Sequence, residues 1–198
     1  MAHSVKFMVE IENFTNQPLH LVNYEIRSGG FQSSPRNIIM PGHKESFSAR
    51  KISFTPTGAS GAVAYRIGDS AKVMAISIFC PYSFTWSGGN TLALKFYQWD
   101  QSQIESMPTN YMYDKMNIEG PWKKSFHKGT PPLEVTDEGV EYNMMGGMGN
   151  LHATTVQVSL LPIDKNGQVD KNRLAARVKP GFGVEEPMKV EISGCSVF

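Results

Sequence analysis

The segment from Val5 to Glu12 alternates regularly between apolar and mostly polar side chains. Its apolar positions are Val5, Phe7, Val9 and Ile11. Because successive side chains of a strand point to opposite faces, this alternation predicts a strand with one face in a core. Further strands, separated by turns rich in Gly, Pro and Asn, are expected at 19–27, 36–40, 45–53, 61–67, 73–79, 91–99 and 151–163. This spacing favours a mainly β fold, an antiparallel β-sandwich, over alternating helices and strands.

A helix signal is present in residues 106–117, within the segment SMPTNYMYDKMN. Ser106 suits the N-cap position, and Pro108 would lie in the first turn, where its missing N–H is tolerated. We therefore expect one or two short helices to flank the sandwich. Residues 117–150 are expected to be irregular, because they contain the loop-like segments GTPP and NMMGGMGN.

The composition changes after residue 163. The polar segment DKNGQVDKNR is expected to be a turn, and the later segment MKVEISGCSV alternates like a strand. We therefore expect 1–163 to form the sandwich domain and 164–198 to be a C-terminal extension with an extra strand. Within the sandwich, the strand at 151–163 is expected to be central, because its later half is apolar on both faces.

The charge balance limits the classes of partner. The chain of 198 residues has 19 Lys and Arg against 18 Asp and Glu, a net charge of +1. A nucleic-acid partner is not expected, because binding to the phosphate backbone requires a clear excess of cations. Only MAHS precedes the first strand, and charges interrupt the longer apolar runs, so neither a leader nor a spanning helix is expected in this chain. Since a leader can be removed, secretion stays open, with a cytoplasmic location as the alternative.

Motifs for metal binding or catalysis are weak. Cys80 lies in an apolar run and is expected in the core, and whether it pairs with Cys195 is left open. In DKNGQVD, the glycine is at the fourth position instead of the sixth, and Ala175 takes the place of the glutamate that a calcium loop requires. The five histidines are scattered, GFGVEE does not open a helix after a strand, and GxSxG does not occur. We therefore expect no metal site, no cofactor, no catalytic residues and no enzymatic activity.

Three aromatic residues stand at alternate positions in the stretch SIFCPYSFTWSGGN. They are Tyr82, Phe84 and Trp86. In a strand their rings would lie on one side, either in the core or on a surface that meets something apolar. The preceding proline and the following Gly-Gly favour the end of a sheet. Tyr and Trp suit surfaces between apolar and wet regions, and ring-lined pockets hold quaternary ammonium groups.

Several segments occur in an order that resembles the actinoporins, the sphingomyelin-dependent pore-forming toxins of sea anemones. These segments are RSGG, IIMPGHKESFSARK, TGASGAVAYRIGD, AISIFCPYSFTWS and LKFYQ, within residues 5–162. The resemblance implies a β-sandwich flanked by helices that binds phosphocholine headgroups on one side. It also implies an N-terminal amphipathic helix that inserts into the membrane, with several copies lining a cation-conducting pore. Fungal fruit-body lectins share this architecture and bind sugars, so the fold alone does not fix the ligand.

The resemblance assigns roles to individual residues. A lipid-headgroup site would be formed by Arg27, Ser28, Pro81 and Tyr113, with the Ser28 hydroxyl against the phosphate. The membrane-contacting residues would be Tyr82, Phe84 and Trp86. Departures from the family pattern are Ser60 for a valine, Phe79 for a serine, Ser87, Asn117 and Ile118 for tyrosines, and Asn90 and Thr91 for a tryptophan pair. The site that holds the choline group would then have fewer aromatic faces, which would weaken headgroup binding or redirect it to another lipid or a glycan.

Two hypotheses follow. In the first, the protein is secreted, binds phosphocholine or sphingomyelin headgroups of target-cell membranes, assembles there into homo-oligomers and forms a cation-permeable pore. In the second, it is a non-lytic, lectin-like or scaffold β-sandwich that binds a glycan or a partner protein. The four residues MAHS favour the second hypothesis, because a helix that crosses a bilayer needs about 20 residues.

Overall fold

The computed structural model describes residues 5–87, 89–108, 111–118, 123–126 and 130–175. The strands of this part are β1 Lys6–Asn13, β2 Leu19–Ser28, β3 Gly30–Ser33, β4 Ile38–Ile39, β5 Lys44–Arg50, β6 Ala59–Ile67, β7 Lys72–Cys80, β8 Asn90–Gln98, β9 Lys123–Phe126, β10 Leu133–Thr136, β11 Tyr142–Met148 and β12 Ala153–Pro162. The helices are α1 Phe84–Ser87, α2 Gln101–Glu105 and α3 Met112–Ile118. None of the described helices has the length and apolar character needed to cross a membrane.

The strands form two six-stranded sheets, which confirms the predicted β-sandwich. The first sheet has the order β10-β11-β12-β1-β5-β3, and the second has the order β4-β2-β6-β7-β8-β9. The predicted antiparallel pairing does not hold at one place, where β1 runs parallel to β12, with Val9 opposite Val156. A parallel pair needs a long connection, and here the intervening chain forms the rest of the sandwich. As predicted, β12 is a central strand.

The core lies between the two sheets and contains the apolar face of β1. Val5, Phe7, Val9 and Ile11 are all buried, as their alternation predicts. Cys80, at the end of β7, is fully buried in the same core. Burial raises the pKa of its thiol to about 12, so the group stays neutral and unreactive, in agreement with the predicted core position.

The outer face of the second sheet carries small side chains that let α3 approach closely. These are Ala62, Ala64, Ala75 and Ala93. Met112 and Met116 of α3 are buried against them. Trp99 and Tyr97 extend this second apolar layer, with their rings stacked at 4.4 Å between centroids. The predicted flanking helix therefore exists and covers one sheet.

The predicted start of that helix is wrong. Ser106 is the C-cap of the preceding α2 and not an N-cap, and α3 begins only at Met112. The N-cap of α2 is Asp100, whose carboxylate accepts the backbone N–H of Gln103 at 2.8 Å. The Gln103 side-chain oxygen accepts the Asp100 N–H in return at 2.9 Å, which completes a capping box.

The region 117–150 is not irregular as predicted, because it contains β9, β10 and β11. The segment NMMGGMGN contributes to β11, in which Gly146 allows close packing of the sheets. A Cβ at Gly146 would lie only 2.9 Å from Leu94 and 3.0 Å from Leu92 of the opposite sheet. Gly146 thus permits a strand to pack closely in a segment that the sequence predicts to be a loop.

Two other strand predictions and one turn prediction differ from the structure. The expected strand at 36–40 is the two-residue β4, and the one at 45–53 ends at Arg50. Gly30–Ser33, expected to be a turn, pairs with β5 as an edge strand.

The first residues of the expected C-terminal extension pack against the sandwich. The predicted polar turn is present, because the Asp164 side chain accepts the N–H groups of Asn166 and Gln168 at 2.8 and 3.0 Å. Farther along, Leu174 forms a bridge with Thr15. The predicted extra strand in MKVEISGCSV, and Cys195 with it, lie outside the described residues.

Lys72 and Asp137 form an enclosed ion pair between the two sheets. Their side chains are only 15% and 4% exposed. The Asp137 carboxylate also accepts the backbone N–H groups of Gly139, Glu141 and Tyr142 at 3.1, 2.7 and 2.6 Å. Burial by itself would raise the pKa of Asp137, but these hydrogen bonds and Lys72 outweigh it and hold the pKa below 3.8.

This pKa shift predicts a loss of stability in acid. A depressed pKa means that the folded state favours ionised Asp137, so the contribution to stability is complete above the ordinary pKa of 3.8. It is lost as the pH falls through the lower, folded-state value. Urea unfolding of the wild type and of Asp137→Asn, at intervals between pH 7 and pH 2, checks this. The difference in free energy of unfolding is expected to shrink below about pH 4, and a difference independent of pH contradicts the prediction.

Candidate functional site

Ser28 lies at the end of β2, where a register shift alters the pairing of the strand. After the shift between Ile26 and Ser28, Ser28 stands opposite Ser60 of β6. Its hydroxyl donates a hydrogen bond to the Gly58 carbonyl at 3.0 Å. Gly58 is in close backbone contact with Cys80 and Pro81, because an added Cβ would lie 2.1 Å from the Cys80 oxygen. The glycine thus lets three segments meet at one point.

Arg27 and Tyr113 connect this strand to α3. Arg27 forms a 3.7 Å ion pair with Asp114, and both side chains are about half exposed. The backbone N–H of Tyr113 donates to the buried carboxylate of Glu25 at 3.2 Å. Exposed ion pairs contribute little to stability, so the Arg27 guanidinium can exchange Asp114 for another anion at small cost.

Tyr82 follows the buried Pro81 and is itself half-buried. Its ring packs against the core, and the Nζ atom of Lys51 lies 5.1 Å from the ring centroid, in cation–π geometry. Lys51 is buried and donates a 2.8 Å hydrogen bond to the carbonyl of Thr55. The structure thus has a cation against Tyr82, supplied by the protein itself.

The prediction that Tyr82, Phe84 and Trp86 lie on one face of a strand is wrong. Strand β7 ends at Cys80, and Phe84 and Trp86 belong to the short helix α1. The half-buried Phe84 makes an edge contact with the His152 ring, with 4.3 Å between centroids, and His152 Nε2 lies 3.0 Å from the Tyr82 carbonyl. Proline ends the pairing, so the rings leave the sheet at its end. The side chain of Trp86 lies outside the described part of the structure.

These contacts bring four of the predicted site residues to one end of the sandwich. We call it the Ser28 end and define it as residues 28–30, 50–58, 80–87 and 149–152. It contains Ser28, Pro81, Tyr82 and Phe84. Arg27 continues onto the outer face of the second sheet, where Tyr113 lies on α3.

Sequence reasoning missed Lys51, Gly58 and His152 as parts of this arrangement. Lys51 and Gly58 lie within quoted motifs, ARK and TGAS, but neither motif indicates which side chain it meets. His152 carries no sequence signal, because no second histidine stands at a metal-binding spacing. Within the described residues, no group of three His, Cys, Asp or Glu side chains could hold a metal ion.

Two departures from the family pattern have a structural role here. Asn90 and Thr91, which replace a tryptophan pair, are buried in β8. The Asn90 amide donates to the carbonyls of Gly149 and Leu151 at 2.7 and 2.9 Å. Asn90 therefore ties β8 to the β11–β12 loop, and the side chains of both residues are enclosed. They are not available to enter a lipid layer.

A second aromatic region, not predicted from the sequence, lies between α2 and α3. A groove of about 290 Å³ there is lined in part by Trp99, Tyr111 and Lys115. The Lys115 ammonium lies 5.2 Å from the Tyr111 ring centroid and 5.6 Å from that of Tyr97. A lysine thus already occupies the aromatic faces that a quaternary ammonium would otherwise use.

Comparison with known proteins gives distant similarities. No protein-family model matches the chain. Tereporin-Ca1 of Terebra anilis is 25% identical over 177 residues, which cover 83% of this chain and 88% of that protein. Echotoxin-2 of Monoplex parthenopeus is 25% identical over 169 residues, covering 81% of this chain but only 58% of that protein.

Among solved structures, the lipid-binding protein Nakanori is similar, with a TM-score of 0.60 and 16% identity. The match covers 79% of this chain and 70% of Nakanori. At this identity the likeness shows a shared fold. Together with the two sequence relatives, it is consistent with the actinoporin-like family that the sequence motifs resemble.

Proposed function

We propose that this protein binds the headgroups of membrane lipids through the Ser28 end of its sandwich. The observation that carries the proposal is the convergence of Ser28, Pro81, Tyr82 and Phe84, which come from distant segments of the chain. Relatives named Tereporin-Ca1 and Echotoxin-2, and the similarity to a lipid-binding protein, support a toxin-like, lipid-binding role.

The chemistry of these residues suits a zwitterionic headgroup. The Ser28 hydroxyl can turn from the Gly58 carbonyl to a phosphate oxygen, and Arg27 can replace its exposed Asp114 partner with the phosphate. The rings of Tyr82 and Tyr113 offer π faces to a choline group. Since Lys51 occupies one face of Tyr82, the choline would use the other face or the ring of Tyr113.

The further parts of the proposal follow the actinoporin pattern. The headgroup is phosphocholine, with sphingomyelin as the preferred lipid. The protein assembles into homo-oligomers on the membrane, where they form a cation-permeable pore. It acts as a secreted binding protein, not as an enzyme.

Vesicle flotation tests the headgroup site. The wild type is expected to float with phosphatidylcholine vesicles that contain sphingomyelin, and less with vesicles of phosphatidylethanolamine and phosphatidylglycerol. Ser28→Ala is expected to weaken binding about tenfold or more, because a hydrogen bond to a charged phosphate is lost. Ser70→Ala is the matched control, since its hydroxyl also donates to a backbone carbonyl, that of Ile67, but at the opposite end of the sandwich. Failure of the wild type to bind either vesicle, or equal binding by Ser28→Ala, contradicts the proposal.

A lectin-like function is the second candidate, and a groove on the outer face of the first sheet favours it. The groove has a volume of about 500 Å³, and its lining includes Glu10, Gly147 and Gln157. Carboxylate and amide groups suit sugar hydroxyls, and a Cβ at Gly147 would meet no atom within 4 Å, so the backbone there is open. Glycan binding without dye release from vesicles favours this candidate, whereas dye release favours the first.

A further inference from the structure

The loop between β5 and β6 exposes large apolar side chains at the Ser28 end. Phe54 is 100% exposed and Ile52 is 59% exposed. Phe54 also has a φ of +64°, a left-handed conformation that is costly for a bulky residue. A strained residue that presents its ring to solvent indicates a function outside the folding of the domain.

Hydrogen bonds fix this loop in its outward position. The buried Lys51 donates its ammonium to the Thr55 carbonyl at 2.8 Å and its backbone N–H to the Val5 carbonyl at 2.9 Å. The Thr55 hydroxyl donates to the Ile52 carbonyl at 2.8 Å. The residues on both sides of Phe54 are thus held to the sandwich, so the ring is presented by a defined turn.

The same Lys51 lies over the Tyr82 ring. This contact connects the loop between β5 and β6 to Tyr82, one of the proposed lipid-contacting residues. Leu151, in the β11–β12 loop beside His152, is 67% exposed at this end as well. Three segments of the Ser28 end, 51–58, 81–87 and 149–152, contain no Asp or Glu.

Cations border this apolar tip. Lys6 of β1 and Arg50 of β5 stand opposite each other in register, and both are exposed. An apolar tip with a cationic border and no acidic residues in its loops complements a phospholipid surface, where phosphates lie above hydrocarbon.

We propose that the loop of residues 51–58 is a second membrane anchor, which inserts Phe54 and Ile52 into the boundary between headgroups and acyl chains. This inference rests on the proposed lipid-binding function and adds an apolar contact to its headgroup site. Lys6 and Arg50 then face lipid phosphates, and Tyr82 stays at headgroup depth behind the loop.

Phe54→Gly tests the anchor without straining the fold. Glycine adopts a positive φ freely, so the unfolding temperature is not expected to fall. Binding to phosphatidylcholine–sphingomyelin vesicles is expected to weaken by about tenfold or more, because a buried phenyl group is removed from the lipid contact. Val140→Gly is the matched control, since Val140 also has a positive φ, of +51°, and is 40% exposed, but lies at the opposite end. It is expected to bind vesicles like the wild type.

A fluorescent label gives an independent measure of insertion. Ser53→Cys is labelled with an environment-sensitive dye in a Cys195→Ser background, where Cys80 is fully buried. A blue shift on vesicles, and quenching by lipids brominated near the carbonyl, are expected for this site but not for Lys165→Cys in the opposite turn.

The outcomes separate this inference from the proposed function. If the wild type does not bind vesicles, both the proposed function and the proposed anchor are wrong. If the wild type binds and Phe54→Gly binds equally well, only the anchor is overturned. The anchor is also overturned if the label stays exposed on vesicles, or if Phe54→Gly changes self-association in solution while vesicle binding is unchanged.

Discussion

Gly58→Ala is expected to lower the free energy of unfolding by about 3 kcal/mol and to reduce vesicle binding. The added Cβ would lie 2.1 Å from the Cys80 oxygen and 3.0 Å from the Pro81 Cα, so the backbone of one segment has to move. Because the Gly58 carbonyl accepts the Ser28 hydroxyl, that movement also disturbs the proposed headgroup site. Urea unfolding measures the first effect and flotation the second.

Gly30→Ala is the control for this substitution. Gly30 also belongs to the Ser28 end, but a Cβ there would meet no atom within 4 Å. The free energy of unfolding of the Gly30→Ala variant is expected to stay within about 0.5 kcal/mol of the wild-type value. Equal unfolding midpoints for the two variants would show that the close contact at Gly58 is unimportant.

Asp137→Ala is expected to cost about 3–5 kcal/mol of stability at neutral pH, because it leaves the enclosed Lys72 ammonium without its buried partner. It also leaves the backbone N–H groups of Gly139, Glu141 and Tyr142 without their carboxylate acceptor. The free energy of unfolding in urea at pH 7 gives the magnitude.

Glu141→Ala separates the buried interaction from the exposed one. Glu141 contacts the same Lys72 ammonium at 2.8 Å, but its side chain is 52% exposed. Its loss is expected to cost less than about 1 kcal/mol. Similar losses for the two variants would contradict the view that burial of Asp137 determines the size of the effect.

Periodicity predicted the fold where one face of a strand is buried. The alternation of β1 and the apolar run of β7 gave these strands with boundaries close to those observed. Periodicity failed where glycine interrupts a strand for packing, as at Gly146, because the close approach of Leu92 and Leu94 is a tertiary contact. The start of α2 could have been found from Asp100 and Gln103, whose spacing is that of a capping box.

The parallel pairing of β1 and β12 could not be derived from local pattern. Each strand is apolar enough to be central. Alternation shows which face of a strand is buried, but it does not show which strand lies beside it or whether the two run parallel. That information comes from how the two sheets close around the shared core.

The candidate site was only partly accessible to sequence reasoning. The resemblance indicated Ser28, Pro81 and Tyr82, and the structure brings them to one end of the sandwich. The strand predicted at 45–53 runs up to Phe54, because nothing in KISF signals the positive φ that its last residue adopts. Phe54 is exposed because the side chains of Lys51 and Thr55 close the turn by donating hydrogen bonds to backbone carbonyls. Many side chains can donate such bonds, so no residue pattern identifies this turn.

The pairing of β1 with β12 has a consequence for synthesis of the chain. Val9 lies opposite Val156, so β1 cannot pair with its parallel neighbour until most of the described chain has been synthesised. Until then β1 can pair only with β5, and its other edge has unpaired backbone groups open to strands of other molecules. Such distant contacts form slowly, so the nascent protein is most prone to aggregate shortly before β12 leaves the ribosome.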